Sequence, residues 1–229
     1  MYFTMNNKNK LPQHIDHTLL KPSATKNEVE MLCNQAIEYN FMSVCVNPVH
    51  VSFCSEILHN TNIKICTVVG FPLGANKLIQ KCAETSIAIN EGATEIDMVM
   101  NIGSFKDENY EFVLLEIQAV VQSAKKNIVK VIIETDLLNK NEIIKVCKIV
   151  NDSDAHFIKT STGFSGGNGA TLENIELIKK HIGPNKKIKA SGGIKTLAQL
   201  RSMIDVGADR IGTSSGVKIL NEIKLKNQD

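Results

Sequence analysis

Two lysines lie inside short apolar segments that have the composition of β-strands. Lys159 lies in residues 156–161 (HFIKTS), and Lys189 lies in residues 187–191 (KIKAS). Burying a lone ammonium group is costly, so an inward-facing lysine needs an anionic partner or a reaction that uses a lowered pKa. A single lysine of this kind could instead face outward, with its stem along a covering helix and its head in water.

Two such lysines in neighbouring strands favour the inward-facing, reactive interpretation over the outward-facing one. Two ammonium groups at the carboxyl ends of adjacent strands repel each other, and loss of one proton near neutral pH relieves the repulsion. The neutral amine is then a nucleophile that can form a Schiff base with a carbonyl substrate. Asp97, which lies mid-strand in residues 94–100 (TEIDMVM), is the third ionisable group that we find inside a strand pattern.

Glycine-rich segments follow three of the predicted strands. They are TSTGFSGGNGAT (160–171), KASGGIKT (189–196) and IGTSSG (211–216). Each places small residues between a strand and a helix, where backbone N–H groups can point at an anion. Tight turning alone explains a single loop of this kind. Three of them around one rim predict a phosphate site, which parallel barrels frequently carry in their last loops.

The elements that position these groups alternate regularly along the chain. Segments rich in Val, Ile and Thr are followed by amphipathic stretches long enough for helices, which is the pattern of repeated strand–helix units. The predicted strands cover residues 14–20, 42–46, 63–69, 94–100, 129–135, 156–161, 187–191 and 209–214. The predicted helices cover residues 25–39, 76–90, 108–126, 139–150, 171–181 and 196–206.

Eight strand–helix units predict an α/β fold, a closed (β/α)8 TIM barrel, whose reacting groups gather at the carboxyl ends of the strands. An open doubly wound sheet is the alternative, but it usually has fewer strands and a G-x-G-x-x-G segment after the first strand, which is absent here. In the first helix, Thr25 and Glu28 form a capping signal. The periodicity predicts one buried face made of Val29, Leu32, Cys33, Ala36 and Ile37.

Charge and cysteine content narrow the function classes. The 26 Lys and Arg residues against 24 Asp and Glu leave a formal charge of +2, and the basic residues are scattered. We therefore expect no nucleic-acid partner. The six cysteines include no C-x-x-C pair, and the chain has no His-rich cluster, so we expect reduced thiols and no metal site.

The ends and the hydropathy of the chain predict a cytoplasmic protein with no membrane partner. No apolar run approaches the roughly 18 residues of a membrane span, and the first residues lack the apolar core of a secretory signal. Residues 1–10 are polar and without pattern. We expect them to form a flexible extension before one barrel domain over residues 11–229.

Eight segments of the chain, in order and at matching spacing, resemble the deoxyribose-phosphate aldolases. The resemblance extends from about residue 11 to residue 220, and FIKTSTGF together with KASGGI is highly specific. The matching segments are IDHTLL (15–20), SVCVNP (43–48), VGFPLGA (69–75), EIDMVMNIG (95–103), VKVIIET (129–135), FIKTSTGF (157–164), KASGGIKT (189–196) and ADRIGTSSG (208–216).

The resemblance implies a class I aldolase that cleaves 2-deoxy-D-ribose 5-phosphate to acetaldehyde and D-glyceraldehyde 3-phosphate without a cofactor. It implies that Lys159 forms the Schiff base, that Lys189 is the cation that depresses its pKa, and that Asp97 belongs to the proton relay. It also implies small-molecule substrates and a homodimer.

The same resemblance implies a set of substrate-binding residues. Asp16 and Thr18 would be polar groups of the pocket, with Asp16 orienting Lys189, and Cys45 would line the pocket. The bland interpretation of Cys45 is a small buried hydrophobe. The residues implied to hold the 5-phosphate are Gly163, Phe164, Gly192, Gly193, Gly212, Ser214 and Ser215.

Departures from the family pattern are few. The segment GFSGGNGAT is one residue longer than the usual form, so the loop after Lys159 is expected to hold phosphate differently. Asp136 and His156 replace other residues at strand ends, where we expect modest effects. The chain ends in KNQD and lacks the terminal Tyr of some longer members.

Two other functions are alternatives to the aldolase. Another phosphate-binding barrel enzyme, such as an isomerase or a ketose-bisphosphate aldolase, would need other catalytic residues. A non-catalytic sugar-phosphate-binding barrel would keep the pocket without the chemistry, and the presence of Lys159, Lys189 and Asp97 argues against it.

Overall fold

Eight parallel strands close into a barrel in the computed structural model, which describes residues 11–225. Each strand pairs with the next along the chain, and the last pairs with the first, which confirms the predicted (β/α)8 fold. The predicted extension over residues 1–10 lies outside the described residues. The strands are β1 (Ile15–Leu19), β2 (Ser43–Val46), β3 (Lys64–Val69), β4 (Glu95–Val99), β5 (Ile128–Ile132), β6 (Phe157–Lys159), β7 (Lys187–Ser191) and β8 (Arg210–Thr213).

Helices surround the barrel. The six predicted helices are present, within a few residues of their predicted ends, and the Thr25–Glu28 capping box is formed. The prediction missed three further helices, of which two are too short for a clear period. The helices of the described chain are α1 (Lys26–Glu38), α2 (Val51–Leu58), α3 (Leu78–Asn90), α4 (Ile102–Lys106), α5 (Tyr110–Ser123), α6 (Lys140–Asp152), α7 (Leu172–His181), α8 (Leu197–Asp205) and α9 (Gly216–Leu225).

Two local predictions were wrong. Ile37, predicted on the buried face of α1, is 44% exposed because it lies at the edge of the stripe formed by the other four residues. The strand predicted to reach residue 135 ends at Ile132, because Glu134 takes a left-handed backbone conformation with φ 53° and begins a turn of 3-10 helix. The carboxylate of Glu134 explains that turn, since it accepts hydrogen bonds from both the backbone N and Oγ1 of Thr162.

The main apolar core lies between the strands and the helices, and its members are completely or almost completely buried. The interior of the barrel differs, because charged side chains fill its middle. The expectation of three ionisable groups within the strands was too low, since the alternation that carries Asp97 and Lys189 inward does the same for other charged residues. The buried ionisable residues of the strands include Asp16, His17, Glu95, Asp97, Lys130, Lys159, Lys189 and Arg210.

No helix among residues 11–225 combines the length and the apolar character needed to cross a membrane.

Candidate active site

Lys159, Lys189 and Asp97 meet inside the barrel. Lys159 on β6 and Lys189 on β7 occupy paired positions in the strand register, near the carboxyl ends of both strands. One oxygen of Asp97, which projects from β4, accepts hydrogen bonds from both amines. Its Oδ2 lies 2.8 Å from Lys159 Nζ and 2.6 Å from Lys189 Nζ. The structure thus brings together the three residues that the sequence singled out.

The other oxygen of Asp97 has two further donors that the sequence analysis missed. Oδ1 accepts from Lys130 Nζ at 2.8 Å and from Cys66 Sγ at 3.1 Å. Burial alone would raise the pKa of Asp97, but Lys130, Lys159 and Lys189 outweigh it and hold that pKa well below its ordinary value. Asp97 is therefore a fixed negative charge.

Lys189 is surrounded by a second carboxylate as well. Its Nζ lies 2.5 Å from Asp16 Oδ2, the carboxylate that we expected to orient it. Burial alone would lower the pKa of Lys189, but Asp16 and Asp97 raise it above its ordinary value. Lys189 is therefore a fixed positive charge.

Arg210 and Glu95 extend this group of buried charges through Asp16 and Lys130. Arg210 donates to Asp16 Oδ1 through Nε at 2.7 Å and to Glu95 Oε2 through Nη2 at 2.9 Å. Glu95 also pairs with Lys130 at 2.6 Å. Each of Glu95, Lys130 and Arg210 could have been found as a charged residue within a strand segment. The segments are EIDMV on β4, IVKVI on β5 and RIGT on β8.

Within residues 11–225 the network contains four basic side chains and three carboxylates. The basic members are Lys130, Lys159, Lys189 and Arg210, and the acidic members are Asp16, Glu95 and Asp97. With all four basic side chains protonated and all three carboxylates ionised, the network carries one positive charge in excess, in a medium that disfavours charge. Among the described carboxylates, Lys159 pairs with Asp97 alone, so its charge is the least compensated of the four.

Lys159 is also the member of the three that reaches open space. A cavity of about 350 Å³ lies above the carboxyl ends of β1, β6, β7 and β8; we call it the main cavity. Lys159 lines it, whereas Asp97 and Lys189 are completely buried behind it. The predicted substrate-binding residues that line the main cavity are Thr18, Gly163, Phe164, Gly192, Gly193, Gly212 and Ser214.

Three predicted substrate-binding residues lie elsewhere. Asp16 is completely buried beneath the main cavity, against Lys189. Cys45 is equally buried, in a small apolar cluster with Leu20, Cys66 and Val68, which fits its bland interpretation. Ser215 lines a neighbouring cavity on the far side of its loop.

Several residues that line the main cavity were not predicted. These residues are neighbours in sequence of the predicted site residues, but sequence proximity alone does not show which side chains face the cavity. The lining residues that the sequence analysis did not assign are Leu19, Leu20, Lys21, Thr162, Ser191, Ile194, Lys195 and Thr213.

Glycine is required where the loops after β6 and β7 touch. Gly192 and Gly169 both have positive φ, 88° and 70°, a conformation that other residues adopt with strain. A Cβ on Gly169 would lie 2.6 Å from the carbonyl carbon of Gly192. Ala170 N donates to Gly192 O at 3.2 Å, so the two loops form one continuous wall.

Asp136 anchors the loop that follows β6. Its carboxylate accepts from the backbone N of Asn168 at 3.1 Å and of Gly169 at 3.0 Å. Ser165 Oγ donates to the same carboxylate at 3.3 Å. Asp136 and this loop, the two places where we expected departures from the family pattern, are thus in contact with each other.

Two buried groups of potential metal ligands exist among the described residues, one made of Cys45, Cys66 and Asp97 and the other of Asp16, Cys66 and Glu95. Their carboxylate oxygens already accept from lysine or arginine. A metal ion would have to displace buried cations there, so these residues do not fit a metal.

Fold and site together define a (β/α)8-barrel enzyme whose candidate reacting groups stand at the carboxyl ends of the strands, the face on which barrel enzymes carry their active sites. The model of the DeoC/LacD family of aldolases matches residues 11–223. The chain therefore belongs to the DeoC/LacD aldolase family.

Known relatives agree with this assignment. A deoxyribose-phosphate aldolase of Bdellovibrio bacteriovorus is 52% identical over 211 residues, which are 92% of this chain and 96% of the relative. One of Staphylococcus epidermidis is 51% identical over 218 residues, 95% of this chain and 97% of the relative. The structure of an Aeropyrum pernix deoxyribose phosphate aldolase, described as a unique tetramer, superposes with a TM-score of 0.89 at 32% identity, covering 96% of this chain and 93% of that one.

Proposed function

We propose that this protein is a class I deoxyribose-phosphate aldolase that cleaves 2-deoxy-D-ribose 5-phosphate through a Schiff base on Lys159. One observation carries the proposal. Lys159 Nζ lies at the main cavity and shares Asp97 Oδ2 with the completely buried amine of Lys189.

The charge count supports Lys159 as the nucleophile. With Lys159 neutral, the three cations that remain balance the three carboxylates of the network. Lys130 and Lys189 are completely buried, and each contacts two or more carboxylates. These ionised carboxylates stabilise the charged forms of both lysines against the effect of burial. Lys159 has one such contact and lines the main cavity, so it is the amine that we propose as the nucleophile.

In the cleavage direction, the neutral Lys159 amine attacks C1 of the open-chain sugar, and loss of water gives an iminium. A water held by Asp97 and Lys189 takes the proton of the C3 hydroxyl, the C3–O pair forms the carbonyl, and the C2–C3 bond electrons move into the iminium. D-glyceraldehyde 3-phosphate leaves, and the enamine takes a proton at C2. Hydrolysis by one water then releases acetaldehyde and the amine.

Asp97 and Lys189 support these proton transfers as fixed charges. The pKa of Asp97 is lowered and that of Lys189 is raised, so neither group titrates near neutral pH. We propose that they orient and polarise a water that carries the proton, while Asp16 keeps Lys189 in place at 2.5 Å. The permanent charges thus prepare the site before substrate arrives.

The glycine-rich wall would hold the 5-phosphate. Gly163, Gly192 and Gly193 offer backbone N–H groups at the rim of the main cavity, together with Gly212 and Ser214 from the β8 side. Ser215 lies one residue before α9, and its backbone N already donates to Thr213 Oγ1 at 2.9 Å. We propose that Ser215 contributes by stabilising this loop.

The proposal includes the assembly and location of the enzyme. We propose a cytoplasmic homodimer that acts on small molecules only, with residues 1–10 as an extension of one barrel domain over residues 11–229. The Aeropyrum relative is described as a tetramer. Multi-angle light scattering of the full chain decides the subunit number, and a stable monomer or tetramer would contradict the dimer.

Borohydride trapping tests the central step. The protein is incubated with acetaldehyde and borohydride near neutral pH, and the ethyl adduct is located by peptide mass mapping. We expect one adduct, on Lys159, and none in Lys159→Leu, with turnover of 2-deoxyribose 5-phosphate reduced roughly 10⁴-fold or more.

Lys187→Leu is the matched control, because Lys187 is exposed at the start of β7, two residues before Lys189. It should be trapped and active like the unchanged protein. Labelling spread over surface lysines, or no adduct at all, would contradict the aldolase and leave the non-catalytic sugar-phosphate-binding barrel.

A further inference from the structure

The loop after β6 contains the only Asn-Gly step of the sequence, Asn168–Gly169. Asn168 is exposed to solvent. Because glycine has no Cβ, its backbone nitrogen can approach the side-chain carbonyl carbon of a preceding asparagine with little steric hindrance. Attack by that nitrogen closes a five-membered ring and expels the side-chain nitrogen as ammonia. The reaction open to this step is therefore spontaneous deamidation.

Asp136 holds the nitrogen that would attack. Its Oδ2 accepts from the backbone N of Gly169 at 3.0 Å, and its Oδ1 accepts from the backbone N of Asn168 at 3.1 Å. The attack requires the Gly169 nitrogen to lose its proton. A hydrogen bond from an N–H group to a carboxylate is strong and stabilises the protonated nitrogen. Asp136 therefore opposes the first step of deamidation.

Packing restricts the same peptide group from the other side. A Cβ on Gly193 would lie 2.9 Å from the carbonyl oxygen of Asn168, and one on Gly192 would lie 2.9 Å from Gly169 Cα. The outer part of the loop is different, since a Cβ on Gly166 would meet no atom within 4 Å. The Asn168–Gly169 peptide thus lies between Asp136 and the loop after β7, with little freedom to turn.

We propose that Asn168 is a deamidation site whose reaction is slowed by Asp136, and that its product weakens the hold of the adjacent wall on the phosphate of the substrate. The effect on the substrate rests on the proposed function, whereas the modification itself does not.

The reaction needs only water and hydroxide. The Gly169 nitrogen gives its proton to hydroxide and forms a bond to Asn168 Cγ, whose carbonyl pair moves to oxygen. This pair returns as the bond to the side-chain nitrogen breaks, and that nitrogen takes a proton from water and leaves as ammonia. A second water opens the resulting succinimide. Cleavage at Cγ gives aspartate at position 168, and cleavage at the main-chain carbonyl gives isoaspartate.

Either product disturbs the wall that we propose to hold the 5-phosphate. A new carboxylate at position 168 lies beside that of Asp136, and like charges placed next to each other repel. Isoaspartate also lengthens the main chain by one atom where Gly169 contacts Gly192. Because Gly192 and Gly193 line the main cavity, both changes reach the proposed phosphate site.

Peptide mass mapping after incubation at mildly alkaline pH measures the modification. We expect the folded, unchanged protein to deamidate at Asn168 at least roughly tenfold more slowly than the same chain unfolded in urea, the effect of one hydrogen bond to a charged group. Asp136→Ala should lose most of this protection. Asp136→Asn should lie between them, because its amide oxygen still accepts a neutral hydrogen bond.

Ser165→Ala is the matched control. Ser165 Oγ donates to Asp136 at 3.3 Å, so this variant removes a hydrogen bond of the loop while Gly169 keeps its own. It should deamidate as slowly as the unchanged protein. If Ser165→Ala reacts as fast as Asp136→Ala, or if Asp136→Ala reacts no faster than the unchanged protein, the role of Asp136 is overturned.

Asn168→Asp tests the effect on the substrate, because it carries the charge of the product. We expect its KM for 2-deoxyribose 5-phosphate to rise about two- to fivefold, as for one charge near the surface, with a smaller change in kcat. Trapping of acetaldehyde on Lys159 should be unchanged, since acetaldehyde carries no phosphate. Asn168→Ser, which is neutral and cannot deamidate, should keep the KM of the unchanged protein.

The outcomes separate this inference from the proposed function. An unchanged KM in Asn168→Asp overturns the effect on the substrate, and so does an equal rise of KM in Asn168→Ser. If the unchanged protein neither labels Lys159 nor cleaves the sugar phosphate, the proposed function fails. The deamidation rates of the Asp136 variants then still decide whether Asp136 slows the modification of Asn168.

Discussion

Lys159 and Lys189 are chemically identical side chains with different surroundings. Lys189 is completely buried and lies against two carboxylates, Asp16 and Asp97. Lys159 shares only Asp97 and faces the main cavity. The residue that we propose to react and the residue that we propose to stay charged thus differ in their contacts, because each carboxylate neighbour stabilises the ammonium form.

Replacing Lys189 tests this distinction. Lys189→Leu leaves three cations and three carboxylates, so Lys159 no longer has to be neutral for the network to balance. We expect trapping and turnover to fall roughly 10²- to 10⁴-fold at neutral pH and to recover in part at higher pH. The pH profile of acetaldehyde trapping measures this shift.

Stability provides the control for that variant. Because the charge balance is restored, the free energy of unfolding in urea should stay within about 1 kcal/mol of the unchanged protein or exceed it. Lys187→Leu should change neither the trapping profile nor the stability. A loss of folding in Lys189→Leu, or a loss of activity with no change in pH profile, would contradict the role of Lys189.

A second buried ion pair joins elements outside the barrel. Lys81 on α3 pairs with Glu116 on α5 at 2.8 Å, and both are completely buried. Lys81 Nζ also donates to Gly74 O at 2.8 Å and Val99 O at 2.9 Å. The pair therefore fixes the β3–α3 loop against the end of β4, and Phe71 of this loop packs edge-on against Phe164 in the wall of the main cavity.

Removing one member of the Lys81–Glu116 pair is expected to destabilise the protein, whereas replacing both with apolar residues is not. Burial lowers the pKa of Lys81 and raises that of Glu116, which means that their mutual attraction only partly offsets their removal from water. Lys81→Met should reduce the free energy of unfolding by about 3–5 kcal/mol, because it leaves Glu116 buried without its cation.

The double variant Lys81→Met with Glu116→Leu is the informative comparison, measured by urea unfolding. It should regain most of the stability lost in Lys81→Met. If the stability losses of Lys81→Met and Glu116→Leu simply add in the double variant, the two side chains do not stabilise each other and the interpretation is wrong.

Over the whole molecule, the unusual feature is a charged layer inside the barrel, where parallel barrels generally carry layers of branched apolar side chains. The layer joins strands from β1 to β8 through Asp16, Asp97, Lys130 and Arg210. The surface carries little net charge, a formal +2 for the chain. The dependence of stability on pH is therefore expected to come from the interior rather than from surface repulsion.

Acid titration measures that contribution. The pKa values of Asp16 and Asp97 lie below their ordinary value of 3.8, so their stabilising effect is complete above about pH 5 and is lost as the pH falls through the lowered values. We expect the free energy of unfolding to be nearly constant between about pH 8 and 5 and to fall steeply below pH 4.

Two variants separate the interior from the surface. Asp97→Asn should lower stability at pH 7 and make the acid decline shallower, since the amide cannot take up the proton. Glu28→Gln is the control, because the Lys21–Glu28 pair is exposed at the surface. If Glu28→Gln flattens the decline as much as Asp97→Asn does, the interior layer is not its source.

The sequence by itself determined the barrel and its central lysines. Alternating strand and helix segments left few topologies, and a parallel sheet places the ends of its strands on one face. The positions of Lys159, Lys189 and Asp97 therefore followed from strand alternation and from the resemblance of their segments. Their contact in the structure agrees with both.

Tertiary structure alone decided which residues complete the site. Asp97 meets Lys130 and Lys189 across separations of 33 and 92 residues, and Arg210 meets Asp16 across 194. Strand alternation indicates which side chains share a face, but which charges pair depends on how the strands are tilted and staggered when the barrel closes. Contacts distant in sequence also place Ser215 at a neighbouring cavity rather than the main one, and they join the carboxylate of Glu134, where the chain leaves β5, to Thr162, 28 residues away.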